Sequence, residues 1–443
     1  MAEKAANTGS TGFSPGLIGY PQLPMIVAEW AALLPLVLHL ASYQADYMTI
    51  GEISLLGRLP ISLFPTLGAY SGFARLLERG PNYLDYASAK GGSSHRAWDV
   101  NFGNAFTVTN GATSATIMSS VLEKRKPSRI RIELPIQSNQ QVKGDEARKV
   151  YRPQVLNVYQ FQKTEGHKRT LIQRAPGNSK LATAFMILLV AILVGIAIFL
   201  GIFGTFGSAV IVLLCAISVV VCETTPIRRP AIYLETGETH DACMLVAAHE
   251  NATEWHLCIG DLGVVDTVLN KPVIVLPQGT RARLAAFWFR CAHIIQLTAM
   301  TFVAGQKGWD GVCLVILLVI HYIVSWNFHP KKLARRWLEK EGIDVKVESF
   351  EFHGRSDLIH TIQFLSGTEC HRWIDEIMVP HPRRNFSLEM LQLPANQTVQ
   401  FPKEFNAHDR GKMLRNVRAA RLGASKIKDV LKDAKVVSHF TSP

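Results

Sequence analysis

The residues best equipped for chemistry lie inside an apolar stretch. Arg290, His293 and Gln296 fall at i, i+3 and i+6 within LAAFWFRCAHIIQLTAMTFVAG, Leu284 to Gly305. On a helix of 3.6 residues per turn they share a narrow face. A charged side chain in hydrocarbon costs at least ~2.5 kcal/mol unless it is paired or hydrated. This face should therefore turn toward a partner helix or a polar cavity. Glu29, His39 and His321 are the available partners, and Glu29–Arg290 is the expected ion pair. A catalytic site in the membrane would draw on Arg290, His293, Glu29 and His321. The same residues would equally serve as packing contacts between helices, or snorkel toward the interface.

A second cluster is His240, Cys243, His249, His256 and Cys258. Its spacings lack the close C-x2–4-C pairs that structural zinc sites use, so no metal is expected. On strands, His256 and Cys258 would share a face, with His249 opposite them across a hairpin. His360, Cys370, His371 and His381 read the same way, as ordinary side chains. The chain contains no G-x-x-x-x-G-K-S/T, no G-x-G-x-x-G after a strand, no H-E-x-x-H and no G-x-S-x-G. It also lacks Asp-rich pairs for magnesium and Cys/His tracts for haem or iron–sulfur ligation. No cofactor is expected.

The elements that must position these residues show in the bunching of apolar side chains. Residues 181–222 carry no ionisable group but Cys215 and Cys222, and Gly201, Gly204 and Gly207 break the run. About 20 apolar residues cross a ~30 Å hydrocarbon core, so this run is a helical hairpin. Leu284–Gly305 and Val312–Phe328 form a second hairpin about the link 306–311, with Trp309, Tyr322 and Trp326 near its ends, where amphipathic rings favour the interface. Pro24–Ser42 is long enough to span, although it carries Glu29, Pro35 and His39. Ile53–Ala69, interrupted by Arg58, Pro60 and Pro65, spans, re-enters or lies along the interface. The expected fold class is a membrane protein, mainly an α-helical bundle of four to six transmembrane helices in hairpins, with cytosolic α+β segments. Along the chain this gives a tail at 1–23, membrane-associated helices at 24–77, a β-rich segment at 78–180 and a hairpin at 181–222. An α+β segment at 223–283, a hairpin at 284–328 and a C-terminal α+β segment at 329–443 follow.

Charge supplies the orientation. Lys and Arg outnumber Asp and Glu by 47 to 35, a net charge of +12 that favours an anionic neighbour. Lys124-Arg125-Lys126, Arg129, Arg131, Arg228-Arg229, Lys331-Lys332 and Arg335-Arg336 all lie in the large segments, whereas the hairpin turns hold only Lys307. The positive-inside rule then places the large segments in the cytosol. The acceptor patterns at Asn251, Asn385 and Asn396 would face the wrong compartment and stay unmodified. Seven thinly spread cysteines exclude a disulfide-stapled scaffold, and reduced thiols are expected throughout. The first 24 residues lack the pattern of a cleaved signal peptide.

Within the polar segments, residues 106–122, RIRIELPI and KVYRPQVLNVYQFQK read as strands, with Asn110-Gly111 as a hairpin turn. Residues 223–283 read as strand, strand, short helix, strand. Beyond Pro330 come a helix with Leu333 and Trp337 on one side, the strand IDVKVESFEF, and a helix capped by Ser356 or Asp357. From Asp409 to Ala434, Leu414, Val417, Ala420, Ala424, Ile427 and Leu431 form one stripe and basic residues cover the rest. Such a helix lies on anionic lipid head groups or docks on its own domain. KRKPSRIR, Lys124 to Arg131, fits topology or head-group contact beside membrane helices better than a nuclear signal. No nucleic-acid partner is expected. Ala191-x-x-x-Gly195 is a small-x-x-x-small pair that lets helices approach closely.

HENATEWHLCIGDLGVVDTVLNKP, AFWFRCAHIIQLTAMTFVAGQKGWDG and GRSDLIHTIQFLSGTECHRWIDEIMVPHPRR together resemble a group of multi-pass membrane proteins of filamentous fungi, over roughly 231–384. The resemblance implies the membrane class, and no activity, cofactor or catalytic residue. Three functions follow as expectations. The first is a non-enzymatic multi-pass membrane protein that binds a partner or lipid through its cytosolic segments. The second is a membrane-embedded enzyme acting on a hydrophobic small molecule. The third is a transporter, against which stand the few spans and the lack of a clear inverted repeat.

Overall fold

The computed structural model describes residues 21, 23–88, 94–134, 152–164, 180–326, 329–394, 397 and 399–432. Nearly all of the expected N-terminal tail, parts of the segment 78–180 and Asn396 lie outside the described residues.

In chain order the helices are α1 Met25–Ala41, α2 Asp46–Leu56, α3 Ala69–Arg79, α4 Pro81–Ser88, α5 Gly111–Arg125, α6 Lys180–Ile202, α7 Phe206–Thr224, α8 Leu262–Leu269, α9 Thr280–Gln306 and α10 Trp309–Ser325. They continue as α11 Pro330–Glu341, α12 Arg355–Ser366, α13 Arg372–Asp375, α14 Pro382–Gln392 and α15 Ala407–Lys432. The strands are β1 Arg96–Asp99, β2 Ala105–Thr107, β3 Arg129–Arg131, β4 Gln154–Lys163, β5 Asp241–Ala247, β6 Glu254–Asp261 and β7 Ile343–Phe352. The chain divides into two compact units, each assembled from three stretches.

The first unit, Met1–Tyr83, Arg169–Arg228 and Ile274–His329, is helical. Four of the described helical stretches are long and apolar enough to cross a membrane: Thr183–Ile202, Phe206–Thr224, Thr280–Gln306 and the stretch from Trp309, whose apolar part is α10. They form the two expected hairpins. The helix α1 packs along α9 and α10. It buries a stripe of Ala28, Ala32, Pro35 and His39. Outward it turns Met25, Ile26, Trp30, Leu33, Val37 and Leu40. In the same way α9 buries Ala282, Ala285, Ala286, Ala292 and Ala299 and exposes Leu284, Phe287, Ile294 and Phe302. The outward side chains are larger and more apolar than most of those inside, the reverse of a water-soluble helix. Lipid tails leave little to gain from burying Leu, while small residues let backbones close in. At Gly311 the backbone of α1 comes close enough that a Cβ there would be within 2.6 Å of the Ala32 nitrogen. Ile53–Ala69 is not one helix: α2 stops at Leu56 on Gly57 in the left-handed region, and the segment bearing Pro60 and Pro65 stays irregular up to α3.

The second unit, Leu84–Lys168, Arg229–Val273 and Pro330–Pro443, is built on one sheet of order β2-β1-β5-β6-β4-β7-β3. The pairs β4–β6 and β3–β7 are parallel, and the others antiparallel. Its first stretch supplies β1–β4, the second β5 and β6, and the third β7. One face carries Trp98, Leu156, Val158, Leu245, Trp255, Leu257, Phe350 and Phe352 into a core closed by α12, α14 and α15. The opposite face carries Tyr159, Cys258 and Val347 beneath α5, α8 and α11, giving three layers.

Two local expectations need correction. Asn110-Gly111 is the start of α5 rather than a hairpin turn, so 78–180 is not β-rich throughout. The run buries Ser114, Ile117, Met118 and Val121, a helical i, i+3, i+4, i+7 stripe that its many β-formers conceal. The Asn110 amide is held by the Thr267 and Lys271 carbonyls, to which it donates at 2.8 and 2.7 Å. The last strand expected in 223–283 shrinks to one bridge between Arg228 and Val275.

Candidate functional site

The polar residues of the helical unit form a layer where the C-terminal end of α1 and the segment 57–68 meet the middle of α9. Gln296 is fully buried, and its amide donates to the Pro65 carbonyl at 3.0 Å. One helical turn toward the N-terminus, His293 is half-buried, and another turn back Arg290 is exposed and pairs with Glu78 of α3. The carbonyl acceptor thus fixes the irregular segment, and the ion pair fixes α3, which packs along α9. Beside them Arg75 bonds Asp46 at 2.5 Å and the Tyr83 hydroxyl at 3.2 Å. Gln44 links Glu52, at 3.0 Å, to Thr66, at 2.7 Å. His293 lies within electrostatic range of both Arg75 and His39. His39 is 2% exposed and stands edge-on to Phe64 at 5.9 Å, and among the described residues neither ring nitrogen has a hydrogen-bond partner.

The expected Glu29–Arg290 pair does not form. Glu29 binds Lys307 at 2.9 Å, and Arg290 binds Glu78. The reason is height along the helices. Because α1 runs antiparallel to α9, its N-terminal turn is level with the end of α9, on the order of 25 Å from Arg290 at 1.5 Å rise per residue. His321 bonds Ser325, one turn away on its own helix, at 3.1 Å. Of the four candidates, only Arg290 and His293 therefore share the layer.

A polar residue that sequence reasoning passed over ties the hairpins together. Asp310, in the first turn of α10, is buried. It accepts from the Gly207 and Ser208 backbone N–H groups at 2.7 and 2.8 Å and from the Ser208 hydroxyl at 2.5 Å. These are the orphan donors at the start of α7, where a carboxylate is favoured. The signal was an acidic residue opening an apolar helix.

In the sheet unit the His/Cys cluster scatters. His256 and Cys258 do share a face, as expected. His256, however, stands opposite Val246, while His249 sits in the turn and accepts from the Asn251 N–H at 3.1 Å. Cys243 points to the other face, and His240 pairs with Glu238 at 3.1 Å. Among the described residues no three His, Cys, Asp or Glu side chains converge as metal ligands. Burial pushes the Cys243 thiol up to about 12 and lowers His256 to about 4. A row the spacing did not reveal crosses this face: Ser349 donates to Asn157 at 2.6 Å, and Asn157 to Glu254 at 2.8 Å. Beside it the fully buried Tyr159 hydroxyl has no hydrogen-bond partner among the described residues. His381 caps its own helix, and His360 bonds the Ser356 carbonyl at 2.6 Å.

Of the two expectations for the basic helix, docking on its own domain is the one the apolar stripe follows. Val417, Ala420, Ala424 and Ile427 of α15 are in the core of the sheet unit, against α12. The basic side chains of α15 lie off this apolar stripe.

Together these features define a class: a helical unit with four membrane-length helices joined to a three-layer domain on a mixed sheet. No protein-family profile, curated protein or solved structure matches the chain.

Proposed function

We propose that this is a multi-pass integral membrane protein that holds a cytosolic α/β/α domain at a bilayer for binding, rather than one that carries out chemistry in its helix bundle. The weave of the sheet carries the reading. Strands from before the first hairpin, between the hairpins and after the second share one sheet. One sheet occupies one compartment, so the chain must return to the side it left, and each hairpin crosses twice. The basic residues of these stretches, against Lys307 alone in the turns, favour the cytosol as that side. The polar groups of α9 support binding over catalysis, because Gln296 and Arg290 hold the bundle's own segments.

Topology is tested in sealed vesicles with Lys307→Cys and Lys403→Cys and a membrane-impermeant maleimide. Labelling of the two from opposite sides is expected, and labelling from one side overturns the reading. For the binding role, a folded Arg290→Leu/His293→Leu variant is expected to complement a deletion strain, and failure to complement refutes it.

One observation favours the second reading, a membrane-embedded enzyme acting on a hydrophobic small molecule. His39 is buried with both ring nitrogens free, in range of His293. That reading expects a small molecule or lipid to accumulate in His39→Leu cells, and an unchanged profile removes it.

A further inference from the structure

Two basic motifs far apart in sequence, 124–131 and the end of α15, meet at one edge of the sheet. The helix α5 ends in Lys124 and Arg125, Lys126 turns the chain in the left-handed region, and β3 follows as the outermost strand. Ile130 and Ile132 pack against the core, so Arg129 and Arg131 alternate outward. From α15, Lys426 reaches across to donate to the Arg131 carbonyl at 3.1 Å. Arg131 is partly neutralised by Glu351 at 3.2 Å, and Arg125 by Asp344 at 3.4 Å. Lys124, Lys126 and Arg129 are exposed and, among the described residues, make no ion pair. This is a cationic edge whose charges come from a helix end, a strand and a second helix.

We infer that this edge is a docking surface for an anionic phospholipid bilayer, an inference that rests on the membrane reading above. Charge complementarity identifies the occupant. A juxtamembrane basic residue near an anionic leaflet strengthens association by about fivefold. The domain is also covalently tied to membrane helices at both ends of each hairpin, so the bilayer is present at high effective concentration. Docking needs no apolar insertion, consistent with the stripe of α15 being in the core.

The test uses the full chain in nanodiscs of phosphatidylcholine, with or without phosphatidylserine, and reads the acylation rate of individual lysines by mass spectrometry. Lys124, Lys126 and Lys426 are expected to react several-fold more slowly in the anionic discs, with Lys403 unchanged. High salt should erase the difference, and Arg129→Gln/Arg131→Gln should weaken protection at all three. Equal rates in the two discs, or equal protection of Lys403, overturn the docking surface while leaving the membrane reading intact. A chain that does not stay in the discs overturns both. Protection that arises only on adding nucleic acid or an acidic peptide would likewise overturn the lipid assignment.

Discussion

Asp310→Ala removes a side chain that closes the start of α7 from the neighbouring hairpin. Two backbone N–H groups and a hydroxyl then lose a charged acceptor, in a place that is 4% exposed. A hydrogen bond to a charged group contributes ~1.5–3 kcal/mol net, and each buried donor left unmet costs ~1–3 kcal/mol. Partial relaxation brings the three together to about 3–5 kcal/mol. That corresponds to a fall in melting temperature on the order of 10 °C for a unit of this size. Asp310→Asn keeps the shape but only one good acceptor, and should lose about half as much. The assay is thermal unfolding of the full chain in mild detergent, followed by fluorescence size exclusion. Ser208→Ala and the double variant complete a cycle. The Asp310→Ala loss should shrink in the Ser208→Ala background, since the hydroxyl is already gone. Unchanged melting in Asp310→Ala, or fully additive effects of the two changes, would refute the capping argument.

Burial raises Asp357 of α12 to about 6, with Arg415, His353 and Lys412 pulling the other way. The folded state therefore holds this proton more tightly than the unfolded chain, whose carboxylate titrates near ~3.9. Stability from this group rises as pH falls from about 7 toward 4, and Asp357→Asn should melt higher than wild type at pH 8 by ~1–2 kcal/mol, with the gap closing in acid. Lower melting of the variant at pH 8 would contradict this. Cys243 and Cys258, both buried with thiols pushed upward, should resist maleimide until the domain unfolds, as peptide mapping would show; rapid native labelling counts against the burial assigned to them. Gly311→Leu should destabilise by ~2 kcal/mol or more through overpacking against α1, whereas a Cβ on Gly305 meets nothing within 4 Å and Gly305→Leu should be neutral; equal melting of the two would remove the close contact.

The hairpins were legible because length and apolar composition alone mark a helix able to cross a membrane. Strands β3 and β7 were legible from alternation, β7 most clearly, with Val345 and Val347 in and Asp344 and Lys346 out, and β4, buried on both faces, from its β-branched and aromatic residues. Residues 106–122 failed because Thr, Ile and Val carry strand propensity, and the helical period only appears once small residues count as interior ones. The candidate site was half legible. A helical wheel fixes the face shared by Arg290, His293 and Gln296 but not the level at which another helix passes. Glu29 therefore went to the wrong cation, and Glu78, in a short amphipathic helix, went unseen as a partner. Asp310 was hidden by its position, since an acidic residue beside a hairpin turn reads as solvated until the second hairpin is placed against it.

The order of strands also ties the two units together in folding. Apart from β1–β2, no two of the strands supplied by the first stretch pair with each other: β5 and β6 stand between β1 and β4, and β7 stands between β4 and β3. A chain ending before Pro330 would leave β4 with one open side and β3 with no partner, and its core would lack Phe350, Phe352 and all of α12, α14 and α15. Such non-local pairing is slow, because the loop entropy is lost before contacts repay it. The intervening loops here contain whole helical hairpins. On the proposed membrane topology, a hairpin that failed to return to its starting side would leave β5–β6 or β7 in the wrong compartment, and the sheet could not close. Completion of the domain thus reports correct insertion of both hairpins. A protein that only needed an anchor could manage with one helix at a terminus; on the proposed topology, drawing the strands from either side of two hairpins makes the folded domain conditional on the membrane.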